Sequence, residues 1–253
     1  TDPMNWKEIM GIISTVALLL PVVLVFALRL HRFKCFLALA IFYFLSFSYN
    51  LMSENYIPVN ADFKKIFGIT NNLLEFPLMF TFMAYFSFSA SLAKRIRYSV
   101  LIFLFFEIAV TVIFGYNKKA MTIIMAPGLS MLLFFSIWFS LRQIRITITQ
   151  GKATGKALMI TSMLFAYGCY MLIYVLYYLV KSEEVADIFT MYFIAATLSA
   201  LILSIGIFIE SKRIKKLEEL KITRRELNMV YDKSQPVRTV SLDPSIMEKE
   251  IWD

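Results

Sequence analysis

The stretch IMGIISTVALLLPVVLVFALRLHRFK, residues 9–34, decides the fold class. It is almost entirely apolar up to Leu28 and then carries Arg29, Arg32 and Lys34. About 20 apolar residues, rising 1.5 Å each in an α-helix, cross the roughly 30 Å hydrocarbon core of a bilayer. The stretch therefore predicts a membrane-spanning helix that is followed by a short basic loop.

Six further apolar stretches repeat this pattern, and the chain is 59% hydrophobic and only 17% charged. A soluble domain carries about 25% charged residues. The predicted spans are residues 9–29, 35–53, 69–90, 97–115, 120–141, 156–180 and 186–209. We therefore expect an all-α protein with one seven-transmembrane-helix bundle over 9–210. Around it we expect a short outer N-terminus at 1–8 (Thr1–Pro3 resembling a cloning remnant), a basic cytoplasmic helix at 211–231 and a polar, flexible tail at 232–253.

Basic residues gather on one side of the predicted bundle. Fourteen of them follow the odd-numbered spans: Arg29, Arg32, Lys34, Lys94, Arg95, Arg97, Arg142, Arg145, Lys152, Lys156, Lys212, Arg213, Lys215 and Lys216. Because basic loops stay cytoplasmic, this asymmetry predicts an outside N-terminus and a cytoplasmic C-terminus. We interpret the net charge of +8 as a topology and lipid-headgroup signal rather than a nucleic-acid surface. The expected location is a bacterial inner (plasma) membrane.

Several kinds of chemistry lack their usual residues. The last span has no lysine between Lys181 and Lys212 for a retinal Schiff base, and the single histidine, His31, excludes a bis-histidine haem. The sequence has no glycine-rich phosphate loop and no Gly-x-Ser-x-Gly motif. We expect no cofactor and no metal site, and enzyme activity is disfavoured.

Two acidic residues fall inside predicted spans, Glu75 in the third and Glu107 in the fourth. Ionisable side chains at membrane depth are costly and usually face the bundle interior. Counted from the outer ends of their spans, the two depths differ by only about 3 Å. The carboxyls are therefore expected either to share a functional site or to be separately protonated and hydrogen-bonded to neighbouring hydroxyls.

Polar and aromatic residues accompany these acids at a similar predicted depth. They are Asn50, Asn71, Asn72, Tyr167, Tyr170, Tyr174, Tyr177 and Tyr178. Together with the acids they predict an outward-opening pocket for a small cationic or amphipathic ligand. The alternative is polar contact between helices without a ligand.

Two segments outside the spans have their own periodicity. Asn60 is expected to cap a short helix with Phe63 and Ile66 on one face, which would act as a lid or lie at the membrane interface. Residues 211–231 carry a partial apolar stripe. This stripe fits a helix that forms a homodimer or contacts a cytoplasmic signalling partner, a helix on the inner leaflet, or a solvated end.

These features predict a receptor or sensor that signals through its last helix. The alternative is a proton-coupled small-molecule transporter that uses Glu75 and Glu107. Similar basic motifs after the first and fifth spans, and after the third and seventh, would suit two three-helix repeats in such a carrier. An enzyme acting on lipid is the least supported, because no nucleophile–base pair is visible.

Overall fold

A computed structural model describes residues 6–151, 153–176 and 185–231. These residues form seven α-helices without strands, and two 3₁₀ turns lie at Leu30–Arg32 and Ala84–Phe86. The helices are α1 (Trp6–Ala27), α2 (Lys34–Ser53), α3 (Ala61–Met83), α4 (Ala90–Phe114), α5 (Lys118–Gln150), α6 (Thr154–Tyr174) and α7 (Val185–Tyr231). The N-terminal residues 1–5, Tyr177, Tyr178 and the expected tail at 232–253 lie outside the described residues.

Six of the described helices are long and apolar enough to cross a membrane. The exception is α3, the helix that carries Asn71, Asn72 and Glu75. Apolar side chains on α4 face outward, with Phe105 73% and Val112 78% exposed. Large apolar side chains are mostly buried in soluble proteins, so this exposed surface supports an integral membrane protein.

The helices pack as a ring that follows the order of the chain. Each helix contacts the next from α1 to α7, α1 closes the ring against α7, and α3 also packs on α5. Here the upper end of the bundle is the end at which α3 and α5 begin, and the lower end is the end at which they finish. Because α3 contacts α5 directly, the ring closes without α4, and α4 packs outside it against α3 and α5.

The helix starts follow local capping chemistry. The side chain of Asn60 accepts a hydrogen bond from the backbone N–H of Asp62, Ser89 accepts one from Leu92, and Asn117 accepts one from Ala120. Such side-chain acceptors satisfy backbone donors that a helix start leaves free. The short helix predicted after Asn60 is not separate, because it forms the first turns of α3.

The basic residues lie on helices more often than the predicted loops suggested. Lys94, Arg95 and Arg97 belong to the start of α4, Arg142 and Arg145 to the end of α5, and Lys212 and Arg213 to the middle of α7. Among the basic residues of this set that the structure describes, Arg29 and Arg32 lie between α1 and α2, where Arg29 adopts a left-handed backbone with φ 59°. The helices extend past their apolar sections, since backbone hydrogen bonding does not stop where polar side chains begin.

Candidate functional site

A cavity of about 380 Å³ lies among the helices in the upper half of the bundle. Met79, Met121, Met125 and Met163 form part of its apolar wall. Its polar and aromatic lining comprises Phe42, Tyr43, Ser46, Tyr49, Asn71, Asn72, Glu75, Lys118, Tyr167, Tyr170, Tyr174, Tyr192 and Ser199. The volume falls within the range of small-molecule sites, about 300–1,000 Å³. An apolar wall that carries several polar groups is also typical of such sites.

Glu75 places a carboxyl group on the cavity wall. The hydroxyl of Tyr167, which is 2% exposed, donates to Oε1 of Glu75 at 3.2 Å. This is the only side-chain hydrogen bond that Glu75 makes among the described residues. The carboxyl therefore keeps acceptor capacity for a group inside the cavity.

Tyrosines of α6 and α7 form another part of the cavity wall. The rings of Tyr167 and Tyr170 meet edge to face at 5.8 Å, and Tyr170 stacks on Tyr192 of α7 at 5.4 Å. The hydroxyl of Tyr174 donates to the backbone oxygen of Thr122 on α5 at 3.2 Å. Aromatic pairs at these distances are stabilising beyond their buried area, so α6 presents a rigid aromatic surface that is continuous with α7.

The two neighbouring asparagines of α3 differ in their partners. Nδ2 of Asn72 donates to the sulfur of Met121 at 3.1 Å. Asn71 is 9% exposed, and its Oδ1 has no hydrogen-bond partner among the described residues. A buried acceptor without a partner costs free energy, and Asn71 lines the cavity. Oδ1 of Asn71 therefore offers an acceptor to whatever occupies this space.

Comparisons of the chain with protein-family models, with curated proteins and with solved structures gave no match. Among the described residues, no three histidine, cysteine, aspartate or glutamate side chains are grouped as a metal site would require.

Six of the ten residues predicted for the pocket line this cavity, namely Asn71, Asn72, Glu75, Tyr167, Tyr170 and Tyr174, while Tyr177 and Tyr178 lie outside the described residues. Glu107 does not line it, because α4 lies outside the ring; its side chain is 6% exposed, and Oε1 lacks a partner among the described residues. Asn50 is also buried outside the lining. It follows Tyr49 by one residue, a rotation of about 100° that turns its side chain away from the position of Tyr49.

Sequence reasoning missed the contributions of α2, α5 and α7. Tyr43, Ser46 and Tyr49 are spaced three residues apart on α2, and Tyr192 and Ser199 are seven apart on α7. Both spacings place side chains on one helix face and were visible in the sequence. Lys118, the exposed first residue of α5, could be assigned to this cavity only from the packing of α5 against α3.

Sequence reasoning also missed a second polar cluster, at the lower end of the bundle. This lower cluster consists of Tyr85, Lys156, Glu210 and Arg213. Glu210 is fully buried and accepts hydrogen bonds from the Tyr85 hydroxyl and from Nε of Arg213, the latter at 3.0 Å to each carboxyl oxygen. Nζ of Lys156 lies 4.5 Å from the centre of the Tyr85 ring. Arg213, predicted as a topology or headgroup residue, thus pairs with an acid inside the bundle.

Three other basic residues of the lower end contact aromatic rings. The guanidinium of Arg142 lies 3.6 Å from the centre of the Phe88 ring, Lys94 lies over Tyr98 at 5.9 Å, and Lys212 lies over Phe208 at 4.5 Å. These cation–π contacts leave the charges near the surface of the lower end.

Proposed function

We propose that this chain is an integral membrane sensor of the receptor type. A small molecule binds in the cavity, and α7 carries the response to a partner beyond the lower end. In this proposal seven helices span a bacterial inner (plasma) membrane, with the N-terminus outside and the C-terminus in the cytoplasm. The exposed apolar surface of α4 and the basic residues at the lower end support the membrane placement, since basic side chains favour the cytoplasmic, anionic leaflet.

The observation that carries the proposal is the path of α7. Tyr192 and Ser199 of this helix line the cavity, and the helix continues without a break to Tyr231. From Ser199 to Tyr231 the helix rises about 48 Å at 1.5 Å per residue, more than the roughly 30 Å of a hydrocarbon core. A displacement at the cavity therefore reaches the far end of the same rigid element.

The packing of α7 suits such a movement. Its closest neighbour is α6, where a Cβ added to Gly155 would lie 2.7 Å from the backbone nitrogen of Glu210. A Cβ added to Gly206 would lie 2.9 Å from the backbone nitrogen of Met159. Two helices that approach this closely shift against each other in discrete steps rather than by continuous deformation.

The part of α7 beyond the bundle offers a surface for the partner. Leu217, Leu220, Ile222 and Leu227 are each 43–55% exposed there. Leu217, Leu220 and Leu227 lie near one face of the helix, and such an exposed apolar face suits a second copy of this helix or a cytoplasmic signalling protein. The alternatives, contact with the inner leaflet or a solvated end, predict no such partner.

A proton-coupled transporter has less support. Two three-helix halves would each form a compact unit, so that α1 would pack on α3 and α5 on α7. In the described residues the extensive contacts instead run around the ring, and α1 joins α7. Of the two acids expected to couple transport, only Glu75 lines the cavity.

The test measures α7 directly in the full chain in lipid nanodiscs. Spin labels replace Leu220 on α7 and Ile148 at the exposed end of α5, with the native cysteines replaced by alanine. Ala166→Phe, which fills the cavity from α6, imitates an occupant. We expect double electron–electron resonance to show a shift of about 1–2 Å or more between the labels, the size of typical helix shifts.

The control is Gly168→Phe on the same helix, where an added Cβ meets no atom within 4 Å. An unchanged distance distribution in Ala166→Phe, or the same shift in both variants, would contradict the proposed path from the cavity to α7.

A further inference from the structure

The cavity presents hydrogen-bond acceptors on one face of α3. Asn71 and Glu75 are four residues apart, so their side chains lie on the same helix face. Oδ1 of Asn71 has no partner among the described residues, and the Glu75 carboxyl accepts only the hydroxyl of Tyr167 there. An occupant that satisfies both groups must bring hydrogen-bond donors.

Three of the donors around these acceptors already have partners. The Tyr167 hydroxyl donates to Glu75, the Tyr174 hydroxyl to the backbone oxygen of Thr122, and the Asn72 amide to Met121. A tyrosine hydroxyl has one proton, so after donating it offers only lone pairs. The hydroxyls of Tyr167 and Tyr174 therefore add acceptors to the cavity lining, and the exposed residue Lys118 lies at its edge.

The aromatic wall adds a preference for positive charge. The stacked rings of Tyr170 and Tyr192 and the edge of Tyr167 line the same space as the Glu75 carboxyl. Aromatic faces attract cations, and a carboxylate in a partly desolvated site attracts them more strongly. Charge alone, however, does not distinguish a quaternary ammonium from a protonated amine.

We propose that the ligand of this cavity is a protonated primary or secondary amine on an aromatic or apolar body. Its N–H groups donate to Oδ1 of Asn71 and to Glu75, and its body packs on Tyr170, Tyr192 and the cavity methionines. A quaternary ammonium meets the charge requirement but leaves the Asn71 oxygen buried without a donor. This assignment rests on the proposed sensor function and specifies the chemistry that the sensor recognises.

The test compares three probes that share an indole-ethyl body and differ in their polar head group: tryptamine, its N,N,N-trimethylammonium analogue and the neutral alcohol tryptophol. Isothermal titration calorimetry measures each with the full chain in nanodiscs, and empty nanodiscs correct for partition into lipid. We expect tryptamine to bind at least about tenfold more tightly than either analogue, since a hydrogen bond to a charged group is worth about 1.5–3 kcal/mol. Equal binding of the quaternary analogue, or no binding of tryptamine, would overturn the assignment without deciding whether α7 responds to the cavity.

Two variants separate the roles of charge and hydrogen bonding. Asn71→Leu should weaken tryptamine about tenfold and leave the quaternary analogue unchanged, whereas Glu75→Gln should weaken both cations. Asn50→Leu, a buried asparagine outside the lining, is the matched control and should change neither. Equal losses of both cations in Asn71→Leu would show that Asn71 only shapes the cavity. The comparison of probes on the unaltered chain stands even where a variant fails to fold.

Discussion

Glu210 and Arg213 form an ion pair in the lower cluster, and removing either residue should destabilise the bundle. Removing both should cost less free energy of unfolding than the sum of the two single losses. Glu210 of α7 is fully buried beside α6 and receives hydrogen bonds from Arg213 and Tyr85. Glu210→Leu leaves Arg213 and Lys156 near each other without the acid. Arg213→Met leaves a buried carboxylate that retains Tyr85 and the charge of Lys156.

The magnitude follows from the burial of each group. Removing one partner of a buried ion pair costs about 3–5 kcal/mol, because the remaining charge is left in a medium of low polarity. The Arg213 side chain is 32% exposed and reaches some water, so we expect a loss near the lower limit, about 3 kcal/mol, in each single variant. Replacing both members of a buried pair by apolar residues is often close to neutral. The double variant should therefore lose no more than either single variant, a coupling of about 3 kcal/mol.

The assay is reversible unfolding by sodium dodecyl sulfate in mixed micelles, followed by tryptophan fluorescence and analysed as a double-mutant cycle. Arg142→Met serves as the control, because Arg142 contacts the Phe88 ring and should cost only about 1 kcal/mol. Losses that add in the double variant would refute the reasoning, since they would mean that Glu210 and Arg213 act independently.

Two further predictions concern the contact between α6 and α7. Gly155→Ala should destabilise the bundle by about 1–3 kcal/mol, because the new methyl group would lie 2.7 Å from the backbone nitrogen of Glu210. Gly168→Ala, which meets no atom within 4 Å, should be neutral or stabilising by up to about 1 kcal/mol, and similar losses in both variants would contradict the close contact. Ser162→Ala removes the hydrogen bond that its hydroxyl donates to the backbone oxygen of Ser199 at 2.6 Å and should cost about 0.6–1.7 kcal/mol in the same unfolding assay. No change on this substitution would mean that the bond does not stabilise the packing of α7 beside the cavity.

Part of the candidate site was predictable from helical spacing alone. Asn71 and Glu75 share a face of α3, and Tyr167, Tyr170 and Tyr174 follow one another along α6, so each group could be proposed before any packing was known. Glu107 was grouped with them because its depth matched that of Glu75. Depth along a helix does not specify which neighbour the helix faces, and α4 lies outside the ring.

The lower cluster was hidden for a related reason. The sequence places Glu210 and Arg213 three residues apart at the predicted end of the last apolar stretch, where charged residues usually face lipid headgroups or water. The structure buries Glu210 because α7 continues as a helix and Gly155 lets α6 approach its backbone closely. Tyr85 reaches the same acid from a 3₁₀ turn more than a hundred residues earlier in the chain.

The sequence by itself determined that this is an all-helical chain with helices apolar enough for a membrane, because hydrophobicity and helix periodicity are local properties of consecutive residues. It also determined which side chains share a face of one helix. Only the tertiary structure decided which faces meet: it joined α3, α6 and α7 around one cavity, left Glu107 outside it, and brought Tyr85, Lys156 and Arg213 to Glu210. The physical reason is that contacts between helices depend on the close packing of side chains that are distant in the chain, which local periodicity does not encode.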